Sequence, residues 1–399
     1  MKELTACRAI GGGRKLIKEV PSPTRCNSVV SRTYVAVAIV IVVAIVAGVL
    51  GYYALAPTPT PTPTPKPTPT LTPTPPPAKV TLKWGTSAVG SAGYTALALI
   101  ADVVSKRVAD LEIVVVPTPG AVASIKGYAN EELGGCYAST PSFTELYAGT
   151  GRFAGFTPKR MPVQTFWAYP LEITIAIHQR NLGRFRCWSD LKGQKIFTGP
   201  AGWDVGVALR EALKALNITY EHVEIDLKMV ADALERESIV ATIVYTTAVY
   251  GLPDWAREAE LSVPLAILNP CPEELEVLKV KAPKLGIFDV VENYVSPKEV
   301  FSTDVKLTSG DKMSAIRFYY GFHVGTEIPE ELVYKMLKAL EDGAKELAEL
   351  NPMFRLLARD FVGMQVRGIE SNPQVPVHPG LARFLKEKGA WKASWKVAT

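Results

Sequence analysis

One uncharged segment near the N-terminus limits how this chain can be organised. Residues 34–55 read YVAVAIVIVVAIVAGVLGYYAL and contain no charged side chain. As a helix, a segment of this length crosses the hydrocarbon core of a bilayer, which is roughly 30 Å thick. Tyrosines stand at both ends, where amphipathic rings favour the membrane interface. We therefore expect one transmembrane helix that separates a short N-terminal tail from the rest of the chain.

The tail before this helix carries the chain's excess positive charge. Residues 1–33 hold seven lysines and arginines against two acidic residues, and the whole chain has a formal net charge of +5. The positive-inside rule then keeps the tail in the cytoplasm and places the C-terminal bulk outside. The remainder sums to zero, which excludes a basic nucleic-acid-binding domain. A cleaved signal peptide remains an alternative, because Ala54-Leu55-Ala56 fits an A-x-A cleavage pattern.

A proline-threonine linker follows the helix over residues 56–79. Its central run, at positions 57–77, reads PTPTPTPTPKPTPTLTPTPPP. Such a run favours the polyproline II conformation, which rises about 3.1 Å per residue. It is too poor in apolar residues to build a core, so we expect a semi-rigid spacer between the membrane and a folded domain.

The folded part spans residues 80–399 and alternates strand and helix patterns. Apolar runs predict strands at 80–87, 111–118, 171–179 and 238–246, with shorter strands near 135–139 and at the end of 189–199. Helical periodicity predicts helices between them and at 329–350. This alternation predicts an α/β fold with mainly parallel sheets. The length favours two lobes over a single small sheet.

Three of the five cysteines fall in the part expected to lie outside the cytoplasm, namely Cys136, Cys187 and Cys271, whereas Cys7 and Cys26 fall in the tail. An odd number leaves at least one thiol unpaired within the chain. The spacings match no zinc pattern. One disulfide and a set of buried thiols both remain open.

Loops of small residues follow three predicted strands, which is where open α/β sheets bind ligands. They are Gly85–Tyr94, Ala138–Ser142 and Gly199–Asp204, each preceding a helix whose N-terminal N–H groups could face a ligand. A plain turn is the alternative for the first loop. Ser139 fits an N-cap as well as a ligand contact, and Asp204 fits an acid in the first turn of its helix as well as a ligand contact.

Catalytic sets are missing from the sequence. The four histidines, His178, His222, His323 and His378, have no neighbour at metal-ligand spacing, and no G-x-S-x-G elbow occurs. We therefore expect neither an enzyme nor a metal site, and no cofactor.

The loops and their order resemble the TAXI family, the solute-receptor subunits of one branch of TRAP transporters. The resemblance covers about residues 80–390. It rests on six segments: GTSAVGSAGY (85–94), AYPLEITIAIHQ (168–179), SDLKGQKIFTGPAGWD (189–204), VALREALKALNI (207–218), IVYTTAVYGLPDWAREA (243–259) and VPVHPGLARFLKEKG (375–389).

This resemblance implies a two-lobed, type-II periplasmic-binding fold that closes on a small organic solute. Lobe I would comprise about residues 80–168 and 272–399, and lobe II about residues 169–271. The receptor would deliver the solute, an amino acid or organic acid, to a TRAP-type membrane permease. The implied ligand contacts are Thr86, Ser87, Gly90, Tyr94, Ser139, Thr140, Gly199, Gly202, Trp203, Asp204, Thr246 and Thr247.

The chain departs from the family pattern at Trp203 and Asp204, where small polar residues are usual. A tryptophan narrows a cleft, and an aspartate disfavours a carboxylate ligand unless a cation is paired with it. A cationic, zwitterionic or neutral ligand therefore stays open beside an acidic one. An ABC-type substrate-binding protein and a sensor ectodomain are the competing functions.

Overall fold

The computed structural model describes residues 79–399. The predicted cytoplasmic tail, the predicted transmembrane helix at 34–55 and nearly all of the linker lie outside the described residues. Within the described part of the chain, no helix is both long and apolar enough to cross a membrane.

Strands and helices alternate through most of the described chain, which confirms the predicted α/β class. The strands are β1 (Val80–Gly85), β2 (Leu111–Val116), β3 (Cys136–Ser139), β4 (Val163–His178), β5 (Lys195–Phe197), β6 (Glu221–His222), β7 (Ala241–Thr247), β8 (Leu265–Leu268), β9 (Asp289–Val295), β10 (Lys306–Leu307) and β11 (Met313–Val324). The helices are α1 (Ala92–Arg107), α2 (Ala121–Ala129), α3 (Thr140–Ala148), α4 (Asp204–Ala215), α5 (Val230–Glu235), α6 (Asp254–Ser262), α7 (Pro272–Leu285), α8 (Glu330–Asp342), α9 (Ala344–Leu350), α10 (Arg355–Arg359), α11 (Phe361–Ser371) and α12 (Pro379–Glu387).

Strands β1 and β2 pair in parallel over their whole length, and each is followed by a helix. An isolated parallel bridge between Trp84 and Gly135 brings the start of β3 beside β1. The Trp84 indole is buried and donates to the Cys136 carbonyl at 2.9 Å. The carboxyl ends of these strands therefore meet at one edge, where the loops before α1 and α2 begin.

Two long strands, β4 and β11, run side by side through the middle of the molecule. They pair antiparallel along much of their length. Beyond Pro170, β4 also pairs with β7 and β8, whereas β11 pairs with β3 near its C-terminal end. All sixteen residues of β4 are buried. The two strands thus connect the elements of predicted lobe I with those of predicted lobe II, although the lobe boundaries themselves remain a prediction.

The pairing of β4 with β11 is irregular near the predicted boundary. Pro170 lies opposite Tyr319, but its backbone faces away from β11, since its carbonyl accepts a hydrogen bond from the Ala248 N–H at 2.9 Å. One step further along β11, the register shifts between Tyr320 and Gly321. A Cβ atom at Gly321 would lie 2.3 Å from the Phe166 carbonyl oxygen, so only glycine permits this close approach.

In the larger sheet, which contains β4 and β11, the strand order along one path is β10-β8-β4-β7-β5-β6. Strand β5 is parallel to β6 and β7, and β10 is parallel to β8. Strand β4, however, is antiparallel to β7, β8 and β11. The prediction of mainly parallel sheets is therefore wrong for the central strands, since β4 runs opposite to every strand with which it pairs.

The predicted helix at 329–350 is two helices, α8 and α9, which meet at Gly343. Pro329 is the N-cap of α8 instead of its first helical residue. A Cβ atom at Gly343 would lie 2.4 Å from a methyl group of Val103 in α1. The break therefore occurs where this chain segment packs closely against another helix.

The cysteine pairing left open by the sequence is a disulfide between Cys187 and Cys271, and Cys136 is a buried free thiol. The carboxylate of Glu274 lies beside the disulfide. It accepts hydrogen bonds from the backbone N–H groups of Trp188 at 3.1 Å, Ser189 at 2.6 Å and Cys271 at 2.8 Å. This cluster fixes the start of α7 against the turn that follows β4.

Candidate functional site

A cavity of about 490 Å³ lies between loops from both predicted lobes. Lobe I contributes the loops that follow β1 and β2, and lobe II contributes the loop that follows β5. Its lining consists of Ser87, Ala88, Ser91, Ala92, Gly93, Pro119, Gly120, Ala121, Val122, Ala123, Lys126, Tyr137, Tyr169, Leu171, Ala201, Gly202, Trp203, Asp204, Val205, Tyr245 and Tyr320. A cavity of this size holds a small organic molecule.

Three helices begin at the cavity wall, namely α1, α2 and α4. The Ser91 side chain caps α1 by accepting a hydrogen bond from the Tyr94 backbone N–H at 3.2 Å. The N-caps of α2 and α4, Gly120 and Trp203, make no side-chain capping hydrogen bond. The first-turn N–H groups of these two helices can therefore donate hydrogen bonds to a ligand in the cavity. The positive ends of the helix dipoles favour an acceptor or an anion at this place.

Close backbone approach at the start of α1 depends on Gly93. A Cβ atom at this position would lie 2.6 Å from the Ser87 hydroxyl oxygen and 2.7 Å from the Tyr137 ring. Gly93 thus lets the helix start pack against both side chains at the cavity wall. Among the glycines of this loop, Gly90 was predicted as a ligand contact, whereas Gly93 was not.

Tyrosines form one wall of the cavity. The rings of Tyr137 and Tyr320 stack with centroids 4.5 Å apart, and the Tyr137 and Tyr169 hydroxyls lie 2.6 Å from each other. Burial raises the pKa of Tyr137 and Tyr320 well above the usual range, and it raises the pKa of Tyr245 to about 12. These phenols remain neutral at physiological pH, so the wall offers ring surface and uncharged hydroxyls.

The carboxylate of Asp204 is paired with a cation. Its Oδ1 atom lies 2.6 Å from Nη1 of Arg152, and its Oδ2 atom accepts a hydrogen bond from the Tyr320 hydroxyl at 2.8 Å. The Asp204 side chain is only 2% exposed. Arg152 is therefore the paired cation that an acidic ligand beside Asp204 requires.

Lys126 brings a positive charge to the cavity wall. Its ammonium lies 5.6 Å from the centroid of the Phe153 ring and 5.4 Å from that of Phe156. Among the described residues, no carboxylate forms an ion pair with it. A half-buried ammonium in this position favours a ligand with a negative charge or a strong acceptor.

Four of the predicted ligand contacts line the cavity, and the set is Ser87, Gly202, Trp203 and Asp204. Eight others do not, and these are Thr86, Gly90, Tyr94, Ser139, Thr140, Gly199, Thr246 and Thr247. Ser139 is the N-cap of α3 in a capping box with Ser142, which is the alternative that the sequence left open. A ligand contact from any of the twelve stays a prediction.

Two more of the eight, Thr140 and Thr246, have their hydroxyls engaged elsewhere. Thr140 accepts from the Tyr319 N–H at 3.1 Å and lies 2.9 Å from the Ser371 hydroxyl. Thr246 donates to the buried Glu172 carboxylate at 2.8 Å. These bonds give both threonines a structural role on either side of the cavity.

Reactive groups are scarce at the cavity. Its lining, as far as the structure describes the chain, has no cysteine or histidine, and its one carboxylate is held by Arg152 and Tyr320. Such an arrangement suits reversible binding of a solute, with apolar contacts over most of the wall and donors at the helix starts.

The chain matches the NMT1-like family over residues 84–389. This range includes all of the cavity lining and most of the described residues.

Among solved structures, the chain is similar to several transporter binding proteins. One is the probable amino-acid ABC transporter extracellular-binding protein YtmK from Bacillus subtilis, with 14% identity over 71% of this chain and 98% of that one and a TM-score of 0.41. Another is a putative periplasmic sulfonate-binding protein, SsuA, from Methylobacillus flagellatus, with 14% identity over 81% and 99% and a TM-score of 0.43. A third is the alkanesulfonate-binding protein SsuA from Xanthomonas axonopodis bound to MOPS, with 11% identity over 80% and 97% and a TM-score of 0.39. At these scores the similarities do not bear on the solute or on the transporter.

Proposed function

The chain belongs to the NMT1-like family, and from this premise we propose that it is an extracytoplasmic solute receptor. In this proposal, residues 80–399 bind a small organic solute between two lobes of a type-II periplasmic-binding fold and pass it to a membrane transporter. The observation that carries the proposal is the cavity of about 490 Å³, whose wall combines loops from both predicted lobes.

The lining supports an organic acid or an amino acid with an apolar body. The uncapped starts of α2 and α4 and the Lys126 ammonium supply donors and positive potential for an acidic group. The tyrosine wall and Trp203 supply ring surface for the rest of the molecule. Asp204 opposes an acid only weakly, because Arg152 neutralises it.

The transporter partner in this proposal is a TRAP-type permease, with no nucleic acid involved. The domain is tethered to the cell membrane by the N-terminal helix and held away from it by the proline-threonine linker. The Cys187–Cys271 disulfide supports a position outside the cytoplasm, because disulfides persist mainly in oxidising compartments. A tether keeps the receptor near its permease and so raises its local concentration there.

A thermal-shift screen tests the receptor function directly. The purified protein is screened with amino acids and small organic acids, and hits are followed by isothermal titration. We expect at least one compound to raise the melting temperature and to bind with one-to-one stoichiometry. A folded protein that responds to none of them would contradict the proposal.

Uptake measurements test the transporter class. Coexpression with a TRAP permease is expected to give solute uptake that requires an ion gradient, whereas an ABC partner would require ATP.

Cleavage in the linker tests the tether, and it is expected to reduce uptake while leaving the solute affinity of the released domain unchanged. A cleaved receptor that supports full uptake would argue against the tether.

A further inference from the structure

One arginine connects the two predicted lobes at the edge of the cavity. Arg152 lies in the short turn after α3, in lobe I. Its Nε donates to Glu145 Oε2 at 2.5 Å, on the same lobe. Its Nη1 donates to the Gly202 carbonyl at 2.8 Å and lies 2.6 Å from Asp204 Oδ1, both on lobe II.

The lobe I side of this contact is held by local backbone geometry. Gly149 ends α3 in the left-handed region at φ 63°, and Gly151 has φ 53°. A Cβ atom at Gly151 would lie 2.3 Å from Glu145 Oε1. The two glycines let the chain turn tightly over Glu145, and this turn places the Arg152 side chain beside the carboxylate that orients it.

The lobe II side is equally fixed. Asp204 is the first residue of α4, where an acidic side chain is favoured by the helix dipole. Its second oxygen accepts from the Tyr320 hydroxyl, and Tyr320 lies on the long strand β11. Asp204 therefore has a defined position before any contact with Arg152 is considered.

The three charged side chains are largely withdrawn from water. Their exposed fractions are 13% for Glu145, 16% for Arg152 and 2% for Asp204. Burial opposes the charge on Arg152, but the carboxylates of Asp204 and Glu145 hold the pKa of its guanidinium above the usual range. An ion pair at this depth is screened far less by salt than a surface pair.

Arg152 does not line the cavity. Its Nε and Nη1 atoms contact Glu145, Gly202 and Asp204, whereas its buried Nη2 atom has no hydrogen-bond partner among the described residues. Asp204 lines the cavity, but both of its oxygens face protein partners. The geometry thus suits a contact between lobes better than a contact with solute.

We propose that Glu145, Arg152 and Asp204 form an interlobe clasp, with Arg152 as the positioning residue that favours the closed arrangement of the two lobes. The inference rests on the proposed function, because only a receptor with two lobes that separate has a closed arrangement to favour. The clasp uses protein atoms alone, so it acts before a solute arrives. The apparent affinity then rises in proportion to the closed population.

A distance measurement between the lobes tests the clasp without any solute. Spin labels are attached at Met229→Cys in lobe II and Leu350→Cys in lobe I, in a full-length chain that also carries Cys7→Ser and Cys26→Ser. Both label positions are exposed, at 49% and 53%, and neither lines the cavity. Double electron–electron resonance then reports the label separation.

The variant Arg152→Met is expected to lengthen the mean label distance by about 2 Å or more, the scale of domain rearrangements, and to broaden its distribution. Arg152→Lys, which keeps the charge but loses the planar fork, is expected to give an intermediate result. Arg107→Met is the matched control, because Arg107 pairs with Glu346 at 2.7 Å entirely within lobe I.

An Arg152→Met distribution equal to that of the unsubstituted chain would overturn the clasp, and so would an equal shift in Arg107→Met. If Arg152→Met lacks the circular dichroism spectrum of the folded protein, Asp204→Asn is measured instead, because asparagine has the shape of aspartate without its charge. The same two distance outcomes then decide whether the clasp exists. No solute enters this experiment. A failed solute screen therefore contradicts the proposed function, whereas unchanged distances contradict the clasp.

Discussion

Trp203 allows the binding contribution of a single side chain to be worked out from the structure. It lines the cavity and is 37% exposed. A tryptophan presents up to about 250 Å², so about 90 Å² remains for a solute to cover. At about 25 cal/mol per Å², covering this area contributes about 2 kcal/mol. Trp203→Ala is therefore expected to weaken binding about 30-fold.

The assay is isothermal titration with the solute that the thermal-shift screen identifies. Trp203→Phe keeps a ring and is expected to lose less affinity than Trp203→Ala. Leu261→Ala is the control, because Leu261 is 64% exposed on α6 and does not line the cavity. Leu261→Ala changes a mostly exposed side chain, so its free energy of unfolding should change by no more than about 0.5 kcal/mol. Most of the Trp203 surface packs against the protein, so Trp203→Ala should also lower stability, and its affinity is measured at a temperature where circular dichroism shows the folded protein.

Two results would refute this reasoning. One is a Trp203→Ala affinity within twofold of the unsubstituted protein, which would leave the tryptophan without a role in binding. The other is an equal loss of affinity in Leu261→Ala, which would show that the effect does not come from the cavity.

Three further predictions concern stability. Replacing Cys187 and Cys271 together by serine opens an 84-residue loop and is expected to lower the free energy of unfolding by about 2–5 kcal/mol, measured by urea denaturation against the oxidised protein. Burial alone would raise the pKa of the Glu260 carboxyl, but hydrogen bonds from Ser302 and its neighbours lower this pKa below its usual value. The stabilisation by these bonds is full above the unfolded-state pKa and is lost as the pH falls through the folded-state pKa. Glu260→Gln should therefore lower the free energy of unfolding by about 1–3 kcal/mol at pH 7 and by less in acid. Equal costs at pH 7 and pH 3 would contradict that assignment. The exposed Glu237 follows α5 with a left-handed φ of 55°, a conformation that glycine adopts without strain. Glu237→Gly should therefore raise the free energy of unfolding by about 1 kcal/mol, seen as a higher melting temperature.

The sequence predicted the α/β class because most strands and helices carry local periodicity. It missed the first half of β4 because strand residues buried on both faces show no alternation of apolar and polar side chains. The aromatic run of β11 was missed for the same reason. Antiparallel pairing at the centre depends on where distant segments meet, which no local pattern reports.

The candidate site was also predicted only in part from the sequence. The loops at Ser87 and at Gly202 to Asp204 were found because small residues after a strand are a local signal. The tyrosines of the cavity wall stand inside strands, where an aromatic side chain looks like any core residue. Arg152 contacts Gly202 across 50 residues of chain, and nothing beside it in the sequence marks that partner.

The irregular step between β4 and β11 has a mechanical consequence. The register shift between Tyr320 and Gly321 interrupts the regular backbone pairing of β4 with β11. A ribbon of two strands bends most easily where its pairing is irregular, and this point lies at Tyr320 in the cavity wall. Bending of this ribbon is therefore expected to move the tyrosine wall of the cavity, so that the shape of the cavity depends on the curvature of the two central strands.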